Sequence, residues 1–150
     1  ELELVFRIGK VGKNIEAKFA HKYIDSYGLG IDFTARDLQS KLKEKGLPWE
    51  KAKAFNGSAF VSALQPFDPA ILANPIHFTL HKNGSLVQDG NSELMIWNVA
   101  ELIEEVSKYF TLKTGDYIFT GTPAGVGPVA IGDVLTGALE GSPLFELAIS

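Results

Sequence analysis

The chain has 150 residues, 45% hydrophobic and 21% charged, which suits one soluble globular domain with a sizeable core. A net charge of −4 with no long basic stripe argues against nucleic acid as a partner, and no apolar run approaches the ~18 residues of a membrane span. There is no cysteine, so no disulfide framework and no thiolate zinc site; this is compatible with a reducing compartment, and the cytoplasm is the expected location.

Leu2 to Ile8 is expected to be a strand, followed by a turn with a basic rim at 9–14. Residues 19–32, "FAHKYIDSYGLGID", are aromatic and aliphatic and should end in a second strand. Thr34 is a candidate cap, with Asp37 three residues on, for a helix through "ARDLQSKLKEK" that stops at Gly46 and Pro48. Short apolar runs follow at 52–55 and 59–64, and the prolines of 66–75 read as a loop. Residues 76–90 form a hairpin candidate, since Asn83-Gly84 suits a type I′ turn. Residues 92–110 carry the clearest helical signal, with Met95, Val99, Leu102, Ile103 and Val106 on one apolar stripe. A turn, a short strand and another turn are expected over 113–123, then a final pair of strands in "IGDVLTGALEG" and "LFELAIS". The pattern predicts a β-rich α+β domain with two main helices, not alternating βαβ units.

Several charged residues invite chemistry. Glu1 and Glu3 point to one face of a strand, where two carboxylates repel unless water screens them or a cation sits between them. Alone, that pair also fits a solvated acidic strand, and Asp32 alone fits a turn or cap. Arg36 and Gln39 share a helix face, and an arginine fork near a helix N-terminus suits a carboxylate. Lys51 and Lys53 would lie on the face of Phe55 if their segment were a strand; a lysine among apolar neighbours can serve as base or electrostatic clamp, or simply reach out to water. "GTPAGVG" (121–127) lacks the Lys-Ser/Thr of a P-loop and runs into Pro128, which excludes ATP and NAD. It remains a glycine-rich turn that lets Thr122 and backbone N–H groups approach a ligand. His77 and His81 would stand ~13 Å apart on a strand and cannot share a metal. His21 stands alone, structural or exposed.

Taken together and in this order, "ELEL" (1–4), "GIDFTARDLQ" (30–39), "KGLPWEKAKAF" (45–55), "KNGSLVQDGNSELMI" (82–96) and "GDYIFTGTPAGVGP" (115–128) resemble the fumarylacetoacetate hydrolase superfamily. "KGLPWEKAKAF" is most similar to its branch of acylpyruvases, oxaloacetate decarboxylases and oxaloacetate tautomerases. The resemblance implies a mixed β-sandwich or roll, a single catalytic domain over 1–150, and a homodimer. It implies Mg2+ or Mn2+ held by Glu1, Glu3 and Asp32, with Arg36, Gln39, Lys53 and Thr122 as catalytic or substrate-site residues. The implied activity is C–C hydrolysis of acylpyruvates, decarboxylation of oxaloacetate, or both, through a metal-stabilised enolate of a small 2-oxo acid. Keto–enol tautomerisation is the alternative, and a non-catalytic metal-binding module the competing class. Family relatives carry a lid segment ahead of Glu-x-Glu, with a His and a Glu that help activate water; no such segment is expected within these 150 residues.

Overall fold

The strand Leu2–Ile8 (β1) is apolar almost throughout and buried along nearly its whole length, as befits a central strand. The structure, a computed structural model, describes residues 1–150. After β1 come β2 (Ile24–Asp32), α1 (Arg36–Glu44), β3 (Ala59–Val61), β4 (Gln65–Pro66), β5 (His77–Lys82), β6 (Ser85–Asn91), α2 (Val99–Tyr109), β7 (Tyr117–Phe119), β8 (Val134–Leu139) and β9 (Ser142–Ala148). One sheet runs β3-β2-β1-β7, with β4 also on β2; the other runs β6-β5-β8-β9. All strand pairings are antiparallel. The β-rich α+β architecture with two α-helices is the one expected from sequence.

Even-numbered Leu2, Leu4, Phe6 and Ile8 of β1 meet Leu29 and Ile31 of β2, Phe78 and Leu80 of β5, Leu135 and Leu139 of β8, and Val99 and Ile103 of α2 in one core. Burying such side chains stabilises by roughly 1.5–3 kcal/mol each. The period of two then leaves Glu1, Glu3, Val5 and Arg7 on the opposite face of β1. No helix is long and apolar enough to cross a membrane.

Four local expectations need correction. The helix of 92–110 begins only at Val99, because Asn98 caps it: its side-chain oxygen accepts from the N–H groups of Ala100 and Glu101, and Glu101 accepts from the Asn98 N–H. Ser92–Leu94 is a separate 3-10 turn, Met95 lies outside α2, and Leu102 is only half-buried and outside the core. Thr34 does not cap α1; Ala35 holds the cap position without a side-chain bond. The lysines of 51 and 53 are not on a strand, since Glu50–Ala52 is a 3-10 turn that leaves Lys51 exposed and turns Lys53 inward. The loop of 66–75 contains the 3-10 turn Pro69–Ala73, capped by Asp68. The β5–β6 hairpin is as expected, with Asn83 at φ 51° and Gly84 at φ 80°.

Candidate metal centre and active site

In the β1–β2 ladder Leu2 pairs with Ile31 and Glu3 with Gly30, and the Asp32 N–H donates to the Glu1 carbonyl at 2.8 Å. Register thus sets Asp32 beside Glu1 on the Glu1–Glu3 face. The carboxylate oxygens of Glu1, Glu3 and Asp32 converge within 4.8 Å of one another. Opposite Glu3, Gly30 leaves the space that Phe119 and Val5 fill; a Cβ there would come within 2.6 Å of the one and 2.7 Å of the other.

Two cations close on this acidic cluster. The Lys53 ammonium donates to Glu1 Oε2 at 2.7 Å, Asp32 Oδ2 at 2.5 Å and Thr34 Oγ1 at 2.7 Å. The 3-10 turn before it supplies that direction, and the Ala35 N–H bond to the Ala52 carbonyl, 3.0 Å, ties the turn to the start of α1. Arg36, the first residue of α1, donates to Glu1 Oε1 and, at 3.1 Å, to Gln39 Oε1. Gln39 is 5% exposed. The Arg36 side chain is 54% exposed, so much of its fork remains open to a ligand. Burial would lower the Lys53 ammonium, but its hydrogen bonds to Asp32 and Glu1 prevail and hold its pKa above the ordinary value. Burial pushes the Glu1 carboxyl up, yet Lys53 and Arg36 together bring it below its usual value.

Glu3 is the deeply buried member. Its Oε2 accepts the Gly121 N–H at 2.7 Å, but burial, with the charges of Asp32 and Glu1 behind it, pushes the carboxyl up to about 6. The turn that follows β7 runs along the free edge of β1 here. Thr120 Oγ1 donates to the Leu4 carbonyl at 2.9 Å and Thr122 Oγ1 to the Leu2 carbonyl at 2.8 Å. Gln88 of β6 completes this corner, with its Oε1 accepting the Leu2 N–H at 2.9 Å and its Nε2 donating to Thr122 Oγ1 at 2.8 Å.

A cleft of about 1070 Å³ opens here. Glu1, Asp32 and Arg36 line it together with apolar Phe60, Val87 and Leu135; Glu3, Gln39, Lys53 and Thr122 are not among the lining residues. None of the three histidines reaches it. The donor set is all carboxylate oxygen, the kind that hard divalent cations such as Mg2+ and Mn2+ take. Among the side chains, three carboxylates against one ammonium and one guanidinium leave one uncompensated negative charge. A divalent cation would turn that into one positive charge, suited to an anionic ligand. The residues therefore fit such an ion by donor type, convergence and charge.

Residues 1–146 match the C-terminal domain of fumarylacetoacetate (FAA) hydrolase. The chain belongs to the fumarylacetoacetate hydrolase family. Fumarylpyruvate hydrolase of Ralstonia sp is 38% identical over 149 residues, 99% of this chain and 77% of that protein. Oxaloacetate tautomerase YcgM of Escherichia coli (strain K12) is 42% identical over 146 residues, 96% of this chain and 66% of that protein. Fumarylpyruvate hydrolase from Pseudomonas aeruginosa, solved in complex with Mn2+ and pyruvate, matches with a TM-score of 0.92 at 38% identity, covering 99% of this chain and 64% of that one. A fumarylacetoacetate hydrolase family protein from Yersinia pestis CO92 matches with a TM-score of 0.94 at 39% identity, covering 100% and 71%. The chain spans between 64% and 77% of the length of these family relatives.

Sequence reasoning missed four participants. Thr34 was read as a cap and is instead an acceptor for Lys53. Gln88, Thr120 and Gly121 sit inside family-like stretches, but only packing reveals their bonds to β1. A glutamine in the middle of a strand between Val87 and Asp89 was the one available signal, since a buried amide needs partners.

Proposed function

We propose that the protein is an enzyme dependent on Mg2+ or Mn2+ that acts on small 2-oxo or β-dicarbonyl acids, by C–C hydrolysis of acylpyruvates, decarboxylation of oxaloacetate, or both. The observation that carries this is the convergence of Glu1, Glu3 and Asp32 with Lys53 and Arg36 closed upon them. The relative from Pseudomonas aeruginosa, solved with Mn2+ and pyruvate, supports the metal and the substrate class. When bound, the metal supplies a Lewis acid for the 2-oxo carboxylate. Glu1, Glu3 and Asp32 would hold it. Arg36 would take the substrate carboxylate with its open donors, and Gln39 would hold the guanidinium in line. Lys53, kept as an ammonium with its three N–H groups on Glu1, Asp32 and Thr34, would stabilise the negative charge that develops on the substrate oxygen through its own charge, as electrostatic clamp rather than base. Thr122 would shape the site from its glycine-rich turn.

Hydrolysis also needs an activated water. The family resemblance assigns that role to a His and a Glu on a lid, which we place outside these residues, and we take 1–150 as the single catalytic domain. Tautomerisation needs only a proton shuttle, and the 42% identity to an oxaloacetate tautomerase favours it as the second activity. We also take the protein to be a cytoplasmic homodimer; Leu94 and Ile96, 82% and 97% exposed, are the apolar residues that support an interface.

The experiment is a panel of oxaloacetate and acylpyruvates on the full-length protein, with Mg2+, Mn2+ or chelator, scoring pyruvate, CO2 and the enol absorbance. Asp32→Ala should abolish metal dependence and lower metal affinity by more than ~100-fold, beyond the usual effect of outer-shell changes. Asp37→Ala should change little, since Asp37 is 81% exposed and reaches only Lys41 at 3.9 Å. Full turnover in chelator would overturn the proposal.

A further inference from the structure

The most heavily committed side chain near the acidic cluster is not one of its carboxylates. Gln88 is 2% exposed, and every polar atom of its amide is used. Oε1 accepts the Leu2 N–H at 2.9 Å; Nε2 donates to Thr122 Oγ1 at 2.8 Å and to the Pro123 carbonyl at 3.1 Å. Thr122 in turn donates to the Leu2 carbonyl at 2.8 Å. Leu2 lies between Glu1 and Glu3, and β7 pairs with β1 only from Val5 to Arg7. Two side chains thus satisfy the backbone where a strand partner would otherwise stand. The Glu1–Leu2 peptide is held from both sides, its N–H by Gln88 and its carbonyl by the Asp32 N–H at 2.8 Å.

We propose that Gln88 is a positioning residue: with Thr122 it clamps the Leu2 backbone and so fixes the spacing of Glu1, Glu3 and Asp32 for a divalent cation. The inference rests on the metal-centre assignment above. A glutamine suits the place because it must accept from one N–H and donate twice. A glutamate would set a carboxylate against the Pro123 carbonyl and against Thr122, whose hydroxyl hydrogen is already given to Leu2. The clamp also ties the second sheet, through β6, to the ligand-bearing end of the first. Groups that orient metal ligands without touching the metal typically alter affinity by ~10–100-fold when removed.

The test is calorimetric Mn2+ affinity of the full-length protein, measured well below each variant's Tm. Gln88→Met keeps the volume and removes the three Gln88 bonds; Thr122→Val keeps the shape and removes one of these, that from Gln88 Nε2, together with the Thr122 bond to the Leu2 carbonyl. Ser107→Ala is the control for destabilisation alone, because Ser107 makes a comparable buried bond to the Ile15 N–H at 2.9 Å away from the cleft. We expect Gln88→Met and Thr122→Val each to weaken Mn2+ by ~10–100-fold, the double variant to lose little more than either single one, and Ser107→Ala to lower Tm with affinity unchanged. If Gln88→Met does not fold, Thr122→Val alone decides. Affinity within about threefold of wild type in a folded clamp variant overturns the inference, as does an equal loss in Ser107→Ala. A wild-type protein that takes up no Mn2+ overturns the metal assignment itself, and the clamp with it.

Discussion

Glu3 shows at the level of one side chain why this cluster wants a cation. Its carboxyl, ordinarily near 4.5, is pushed up to about 6 by burial first, with Asp32 and Glu1 adding to the effect and the Gly121 N–H opposing it. In the metal-free protein the folded state keeps this proton where the unfolded chain releases it. The Glu3 contribution therefore favours folding below about pH 4.5 and is lost as pH rises to about 6, by roughly 2 kcal/mol in all. Glu1 works in the opposite sense and lower down: its carboxyl is held below the usual value, so its contribution is lost only as pH falls beneath that value. In chelator, Glu3→Gln should be more stable than wild type at pH 7.5 and should remove the Glu3 part of the slope between pH 6 and 4.5. Divalent metal should stabilise wild type more at pH 7.5 than at pH 5, because the ion requires the ionised carboxylate, and should not stabilise the variant. Denaturant unfolding at the two pH values, with and without Mn2+, checks all three; identical wild-type and Glu3→Gln curves would remove Glu3 from the cluster.

At the scale of elements, the site depends on a turn passing close to a strand. Gly125 sits at φ +98°, and a Cβ built there would lie 2.0 Å from the Val87 carbonyl oxygen. Neither backbone shift nor rotamer change can absorb that contact while the turn stays against β6. Gly125→Ala should lower stability by ~1–3 kcal/mol and weaken metal binding, since the same turn presents Gly121 to Glu3 and Thr122 to Leu2. Gly127→Ala, two residues on, meets nothing within 4 Å and should leave both unchanged. Thermal melts with and without Mn2+ distinguish the pair, and an unperturbed Gly125→Ala would mean the turn is free to move. Elements with local signals were legible from sequence: alternating apolar residues in β1, Asn83-Gly84 in the hairpin, Gly46 after α1. The start of α2 was not, because Met95 and Ile96 continue the apolar pattern while the Asn98–Glu101 capping box ends it.

Across the whole molecule, apolar Leu94, the last residue of the 3-10 turn Ser92–Leu94, and Ile96, between that turn and α2, stand exposed, with Trp97 beside them 48% exposed. If these residues form the homodimer contact, Leu94→Glu with Ile96→Glu should shift the protein from dimer to monomer in sedimentation while Tm falls modestly, because neither side chain contributes to the core. A wild-type protein that sediments as a monomer at working concentration would remove the homodimer.

By itself the sequence determined the strand faces and hence the Glu1–Glu3 pair, the hairpin turn, the β-rich class and the family. Each of these follows from period, turn chemistry or an ordered set of short stretches. Only the tertiary structure decided how the charges meet. Lys53 reaches Asp32 because a 3-10 turn, not the strand its alternation suggested, faces it inward. Thr34 became its acceptor instead of a helix cap. Gln88 joins the site across 86 residues of chain, through the packing of β6 beside the open edge of β1. Residue spacing carries no record of such contacts, because they depend on where two sheets are brought together by a shared core.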